Sequence, residues 1–409
     1  MKCRVHSCRT AFLAGFCCFL AMIFLGLAAA PSDAAEPKYK KVVVSEQFHA
    51  EGATFGDFNK DGKTDIASGH FWYEGPDFKN RHAIYEGKDF DPKAYSNNFG
   101  MFAYDIDGDG WTDIIVCPHP GTTAYWYENP KGKDELWKQH EISIELGNES
   151  QMFVDVNGDG RPEIIFNRNG FFGFAEFDPA KPYEPWKFTS VSGDEPNKKY
   201  ARYFHGLGHG DINGDGRIDL LEMDGWWEQP EDWKKTPWKF HPFKFADAAS
   251  HILVIDVDGD GLNDVITTRH CHEYGFGWFR QVRKDGEITF EYNELIPKDP
   301  PADFFPKVSQ LHAMTAADMN GDGVPDVVTG KRWWAHGPDK DAAPNDPPVL
   351  MWWEVKRKGK DGKPELVPHV IDEASGVGTQ VTVGDINGDG IPDILVGNKR
   401  GTFVFLSSP

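Results

Sequence analysis

Cysteine is scarce in the part of the chain that folds. Four of the six cysteines, Cys3, Cys8, Cys17 and Cys18, fall within the first 18 residues, which leaves Cys117 and Cys271. These two lie in different repeats of the pattern described below. A disulfide needs Cα atoms within about 7 Å, so both are expected as free thiols. Long apolar runs are also lacking: after the first 30 residues none approaches the ~20 residues that span a bilayer. Nor is there a glycine loop followed by lysine to cradle phosphate, a nucleophile elbow, or a cysteine pair with metal spacing. Nuclease, kinase and redox-cofactor classes therefore find no support, and no nucleic-acid partner is expected. Cations are outnumbered, 43 to 64, for a net charge of −21.

The chain does carry a leader. Lys2, Arg4 and Arg9 precede an uncharged, mostly apolar run at 11–27, and small residues follow at 28–35. This is the pattern of a secretory signal, assigned to residues 1–34, with cleavage after Ala30 or Ala34. Phe16 before Cys17 excludes a lipoprotein. The protein is expected to be secreted, periplasmic or at the cell surface, with no membrane span once the leader is removed.

One nine-residue pattern then recurs seven times: Asp, any, Asp/Asn, any, Asp, Gly, any, any, Asp/Glu. The copies are Asp57-Asn59-Asp61-Asp65, Asp105-Asp107-Asp109-Asp113, Asp155-Asn157-Asp159-Glu163 and Asp211-Asn213-Asp215-Asp219. Asp256-Asp258-Asp260-Asp264, Asp318-Asn320-Asp322-Asp326 and Asp385-Asn387-Asp389-Asp393 complete the set. Calcium takes six to eight oxygens, and a tight loop aims positions 1, 3, 5 and 9 at one point, with the glycine at position 6 permitting the turn. Up to seven structural calcium ions are expected. An EF-hand would need Glu at position 12; six copies lack it and only Glu222 supplies it. The loops hold 23 of the 64 acidic residues, so the acidity reflects metal binding and implies no cationic partner.

Short β-branched or aromatic runs flank every loop, such as Ile114-Ile115-Val116 after it and Trp126-Tyr127 further on. Four strands per 45–67 residues make a propeller blade. The expectation is all-β: one seven-bladed β-propeller over residues 36–409, with a calcium loop in every blade. Only 16 residues follow Asp393, room for two strands, so residues 41–45 are expected to supply the missing outer strand and close the ring.

These loops, their spacing and the Trp-Tyr-Glu-Asn-Pro run at 126–130 resemble FG-GAP/VCBS repeat proteins, including the integrin α-chain propellers. The resemblance implies fold and calcium; propellers of this kind serve adhesion, carbohydrate binding and catalysis alike.

In such propellers the start of the innermost strand and the tip after the second strand share the face opposite the calcium loops. Six residues before each first Asp stand Glu51, Phe99, Glu149, His205, Ser250, His312 and Thr379, with His251 one place off. Glu149, His205, His251 and His312 are candidates to hold one zinc, manganese or iron; the bland alternative is rim histidines bonded to loops. The tips carry His70, His119, Arg168, Asp224, His270 with His272, Lys331 with Arg332, and Lys399 with Arg400. Solvated tips also carry such residues, but charge or histidine in all seven fits a sugar or uronate ligand. Trp333 and Trp334 are candidates to stack on a sugar ring, or to pack between sheets. The leading expectation is a metal-assisted carbohydrate lyase or dehydratase, with His119, His270, His272, Arg168 and Lys331 as candidate catalytic residues. In outline this is similar to the propeller of aldos-2-ulose dehydratase and to seven-bladed polysaccharide lyases. The alternative is a non-catalytic propeller that binds carbohydrate or a protein partner.

Overall fold

The computed structural model describes residues 37–359 and 361–408; the expected leader lies outside them. In every repeat the loop is a latch as well as a turn. The position-9 acid opens the second strand, fully buried, and accepts the backbone N–H of position 2 in all seven copies: Asp65 from Phe58, Asp113 from Ile106, Glu163 from Val156, Asp219 from Ile212, Asp264 from Val257, Asp326 from Met319 and Asp393 from Ile386. Those position-2 side chains are core residues. The position-1 carboxylate accepts the N–H of the position-6 glycine in all seven copies. These glycines have φ between 81° and 86°, a region that L side chains avoid.

From the loop each repeat runs outward through antiparallel strands, as in Gly100–Tyr104, Asp113–Cys117, Thr122–Glu128 and Lys138–Leu146. The arrangement is an all-β propeller. Among the described residues the only helical element is the 3₁₀ turn Lys198–Tyr200. Five sheets are separate and four-stranded; the sixth has eight strands. This corrects the expectation of seven separate blades. The inner strands of repeats four and five, Leu207–Gly210 and His251–Ile255, pair in parallel at Leu207↔His251 and Gly208↔Ile252. Glycine permits that approach, since a Cβ on Gly208 would lie 2.4 Å from the Ile252 carbonyl oxygen.

Neighbouring sheets are also stapled by amides. Asn129, from the 126–130 run, donates 2.9 Å bonds to the carbonyls of Phe58 and Thr112, one in the preceding repeat and one in its own. Gln229 and Gln281 repeat the arrangement.

Closure follows the expected register. Lys38–Ser45 pairs antiparallel with Gly401–Ser408, placing Val42 opposite Val404 and Val43 opposite Phe403. Tyr39 packs against the core toward the sixth repeat, Val42 and Val44 against that toward the first. Deleting residues 36–46 would bare the edge of Gly401–Ser408, and exposed edges template association. The expected outcome is a lower melting temperature with self-association by light scattering; unchanged stability would rule out the closing role.

Candidate functional site

Because each innermost strand runs into its loop, its first residues lie at the end remote from the loops, beside the tips after the second strands. Here the structure gathers Glu51, Glu149, His205, His272, His312 and Arg332. Arg332 is 1% exposed. Its Nε and Nη2 donate to Glu51 Oε1 at 3.0 and 2.5 Å, and Nη1 to Glu149 Oε2 at 2.7 Å. Two carboxylates against one guanidinium leave this trio one negative charge. Burial pushes the Glu149 carboxyl up, but Arg332, His205 and His272 outweigh it and hold it below its ordinary value.

Beside the trio lies a nitrogen and sulfur cluster. His205, Cys271, His272 and His312 each offer a ligand atom within 4.8 Å of the others. His205 Nδ1 donates to the Tyr203 carbonyl at 2.6 Å, which turns the bare Nε2 toward His272 Nε2, 3.0 Å away. A backbone acceptor that fixes the tautomer in this way is the usual support of a metal-ligating histidine. Burial brings His205 down to about 4 and His312 well below its ordinary value, so protons do not fill the gap near neutral pH. Both ring nitrogens of His312 lack a hydrogen-bond partner, although Glu149 Oε2 is 3.1 Å from Nε2. Buried nitrogens without partners beside a net negative charge are suited to a divalent cation.

Of the expected metal set, Glu149, His205 and His312 converge and His251 does not. His251 Nδ1 accepts the Met314 N–H at 3.2 Å, and its ring is buried against the next strand. The single-place offset turns it away, because successive side chains of a strand point to opposite faces. The Glu149 carboxylate is engaged by Arg332. His272 and Cys271 take the vacant places.

The expected catalytic residues divide. His119 packs against Tyr95, Phe99 and Tyr203, with Nδ1 3.2 Å from Arg202; its pKa is lowered first by burial, then by Arg202. His270 and His272 line a cleft of about 740 Å³ with Glu273, His336 and Asp341. Arg168 stands over the Phe188 ring, away from the cluster. Lys331 is buried, donating to Ser309 Oγ and the Ala343 carbonyl, and burial brings it down to about 8. His70 packs on Phe71 and Asp224 pairs with Lys244 at 2.9 Å. Many remaining histidines are structural: His82, His140, His241 and His369 each stack on a strand tryptophan and meet a glutamate.

A second cleft, about 580 Å³, is lined by Lys93, Trp333, Trp334, Lys399 and Arg400 among others. Trp333 and Trp334 stack at 4.0 Å, with Arg400 over Trp333 at 4.8 Å. Lys399, brought down to about 8 by burial, feels the charges of Glu51, Arg332 and Glu149, so this cleft adjoins the axial cluster.

The loops also fit the hard cation they were expected to hold. Carboxylate oxygens of Asp105, Asp107 and Asp113, and of Asp155, Asp159 and Glu163, lie within 4.8 Å of one another. Burial pushes Asp65 up to about 6, Asp113 to about 8 and Glu163 to about 7.

No helix among the described residues is long and apolar enough to cross a membrane. The FG-GAP-like repeat family matches residues 105–166 and 256–329, and the FG-GAP repeat family matches 377–406. The protein linkin of Caenorhabditis elegans is 26% identical over 270 residues, 60% of this chain and 40% of linkin. The chain thus spans less than half the length of that relative. A crystal structure of BBS1N in complex with ARL6DN is similar over 91% of this chain and 97% of that one, at 9% identity and a TM-score of 0.50. A rhamnogalacturonan lyase structure covers 91% of this chain and 74% of its own, at 14% identity and a TM-score of 0.44. Seven loops in register and these matches agree: the chain is an FG-GAP repeat protein.

Proposed function

We propose that this is a secreted, calcium-stabilised propeller that acts on an acidic or oxidised sugar as a metal-assisted lyase or dehydratase. In this reading the eight-stranded sheet works as two blades, completing a ring of seven. A buried apolar cluster at each of the seven junctions between successive repeats supports it.

The observation that carries the functional reading is the convergence of His205, His272, His312 and Cys271 beside a trio of net charge −1. A zinc, manganese or iron ion bound there would act as a Lewis acid on a substrate carbonyl or carboxylate. The chain supplies the rest. Trp333 and Trp334 offer a face for a sugar ring, and Lys93, Lys399 and Arg400 complement a carboxylate. His119 and His270, both lowered by burial, are neutral near pH 7 and therefore in the basic form. One of them takes the proton from the carbon next to the substrate carboxylate; the C–H electrons form the new double bond as the β C–O bond breaks.

The test is transition-metal content of purified protein kept in calcium, alongside a His205→Ala/His312→Ala variant, followed by turnover of uronate polymers and keto-sugars. Tightly held metal that the variant loses, with turnover that falls at least 100-fold, is the expected result. Sugar affinity without such metal and without turnover would instead make the protein a binding propeller.

A further inference from the structure

We propose that the axial chamber is built for two divalent ions, with the His272 imidazole bridging them. This rests on the metal reading above and adds a second, open site made by His272, His336 and Asp341.

The two nitrogens of His272 face two different ligand groups. Nε2 meets His205 Nε2 at 3.0 Å, within the group that includes Cys271 and His312. Nδ1 faces the other way, toward Asp341 Oδ1 at 3.7 Å. His336 Nδ1 lies 2.7 Å from the same Asp341 oxygen, and its ring stacks on His272 at 4.3 Å and 19°. One ligand atom from each of His272, His336 and Asp341 falls within 4.8 Å of the others.

A simpler arrangement would make Asp341 only an acceptor that orients His272, as carboxylates behind metal-bound histidines commonly do. The distance argues against it. A charge-assisted N–H···O bond is about 2.7–2.9 Å long, and His272 Nδ1 is a buried nitrogen with no hydrogen-bond partner. Two ligands held at about 2.0–2.1 Å from one ion stand roughly 3.4–3.7 Å apart at tetrahedral or wider angles. The gap at Nδ1 is thus too wide for a hydrogen bond and the right width for an ion.

The two sites differ in access. Cys271 and His312 are fully buried, which closes the first group. The second opens on the ~740 Å³ cleft shared by His270, Glu273, His336 and Asp341, and a metal with an open position is the kind that takes substrate. The long connection after the strand Asp326–Lys331 brings His336 and Asp341 here, and it is tied down by the Ala342 N–H bonded to the His272 carbonyl at 3.2 Å. Filling both sites displaces the last ring proton of His272 to solvent, so binding of the second ion releases a proton and weakens at low pH.

The experiment strips transition metal while calcium is kept at millimolar concentration, then titrates zinc and measures bound metal after gel filtration. Two equivalents are expected for the wild type and one for His336→Ala/Asp341→Asn, with folding checked by circular dichroism. Copper(II) loading gives a readout that needs no variant: two coppers sharing an imidazolate couple magnetically, which depletes the isolated copper(II) signal. One equivalent in the wild type, unchanged by His336→Ala/Asp341→Asn and giving an isolated copper signal, overturns the second site and leaves the first standing. No bound zinc in the wild type overturns both.

Discussion

Stripping calcium from the protein with EGTA is expected to lower its melting temperature by about 10 °C or more. If each loop binds at ~0.1 mM, as extracellular sites can, millimolar calcium contributes about 1.4 kcal/mol per site. Seven independent sites then total roughly 10 kcal/mol, comparable with the net stability of a whole domain. Roughly 370 folded residues at about 2.1 cal/mol/K each give an unfolding entropy near 0.8 kcal/mol/K, which sets the shift at about 12 °C. The loops give the reason for so large an effect: without a cation, three or four carboxylates share each turn, and burial already pushes Asp113 up to about 8. Basic side chains relieve part of this in several loops, Lys63 on Asp61 at 3.0 Å, Lys131 on Asp109 at 2.8 Å and Arg280 on Asp260 at 2.8 Å. They leave 10 °C as the more cautious figure. Magnesium should restore little, because it resists giving up its waters to an all-protein cage. A melting temperature indifferent to EGTA would exclude a stabilising role for calcium in these loops.

The loops were legible in the sequence because one short stretch of chain contains every group they need. The closing strand was legible because a strand count came up short at one end of the chain and Val42-Val43-Val44 was spare at the other. Counting back six residues from each loop found Glu51, Glu149, His205 and His312, since a fixed strand length carries the register from loop to axis. It misled at His251, where one residue of offset reverses the side chain. What the sequence hid depends on long-range approach. Cys271 read as an inert thiol, and His336 and Asp341 lie in a connection with no periodicity to place them. Arg332 read as one of two cations on an exposed tip; only the fold brings it to Glu51, 281 residues away in the chain. The amide staples at Asn129, Gln229 and Gln281 were missed for the same reason: their partners belong to the neighbouring sheet.

Arg332→Met is expected to destabilise the protein by about 3–5 kcal/mol, because it strands two buried carboxylates rather than removing a favourable pair. In the wild type Glu51 and Glu149 are almost fully buried, at 0% and 6% exposure, and both lean on this one guanidinium. Glu51 Oε2 already lacks a partner, so nothing nearby can take over. The pH dependence separates this cause from lost packing. With Arg332 present, the folded Glu149 pKa lies below its unfolded value. Its contribution is then present above the unfolded pKa near 4.3 and is lost as pH falls through the folded value. Without Arg332, burial is unopposed and the folded pKa of each glutamate rises above 4.3, so the folded state holds protons that the unfolded state has released. The deficit of the variant should therefore shrink on acidification from pH 7 toward 5, while the wild type gains nothing over that range from this group. Denaturant unfolding at both pH values measures it. Glu51→Gln/Glu149→Gln/Arg332→Met should recover most of the loss, since all three charges are then gone. A deficit independent of pH and not recovered by the triple variant would mean that Arg332 stabilises through its packing on Phe99, 5.4 Å from the ring centre, and that the charge balance of the chamber is not what holds its floor.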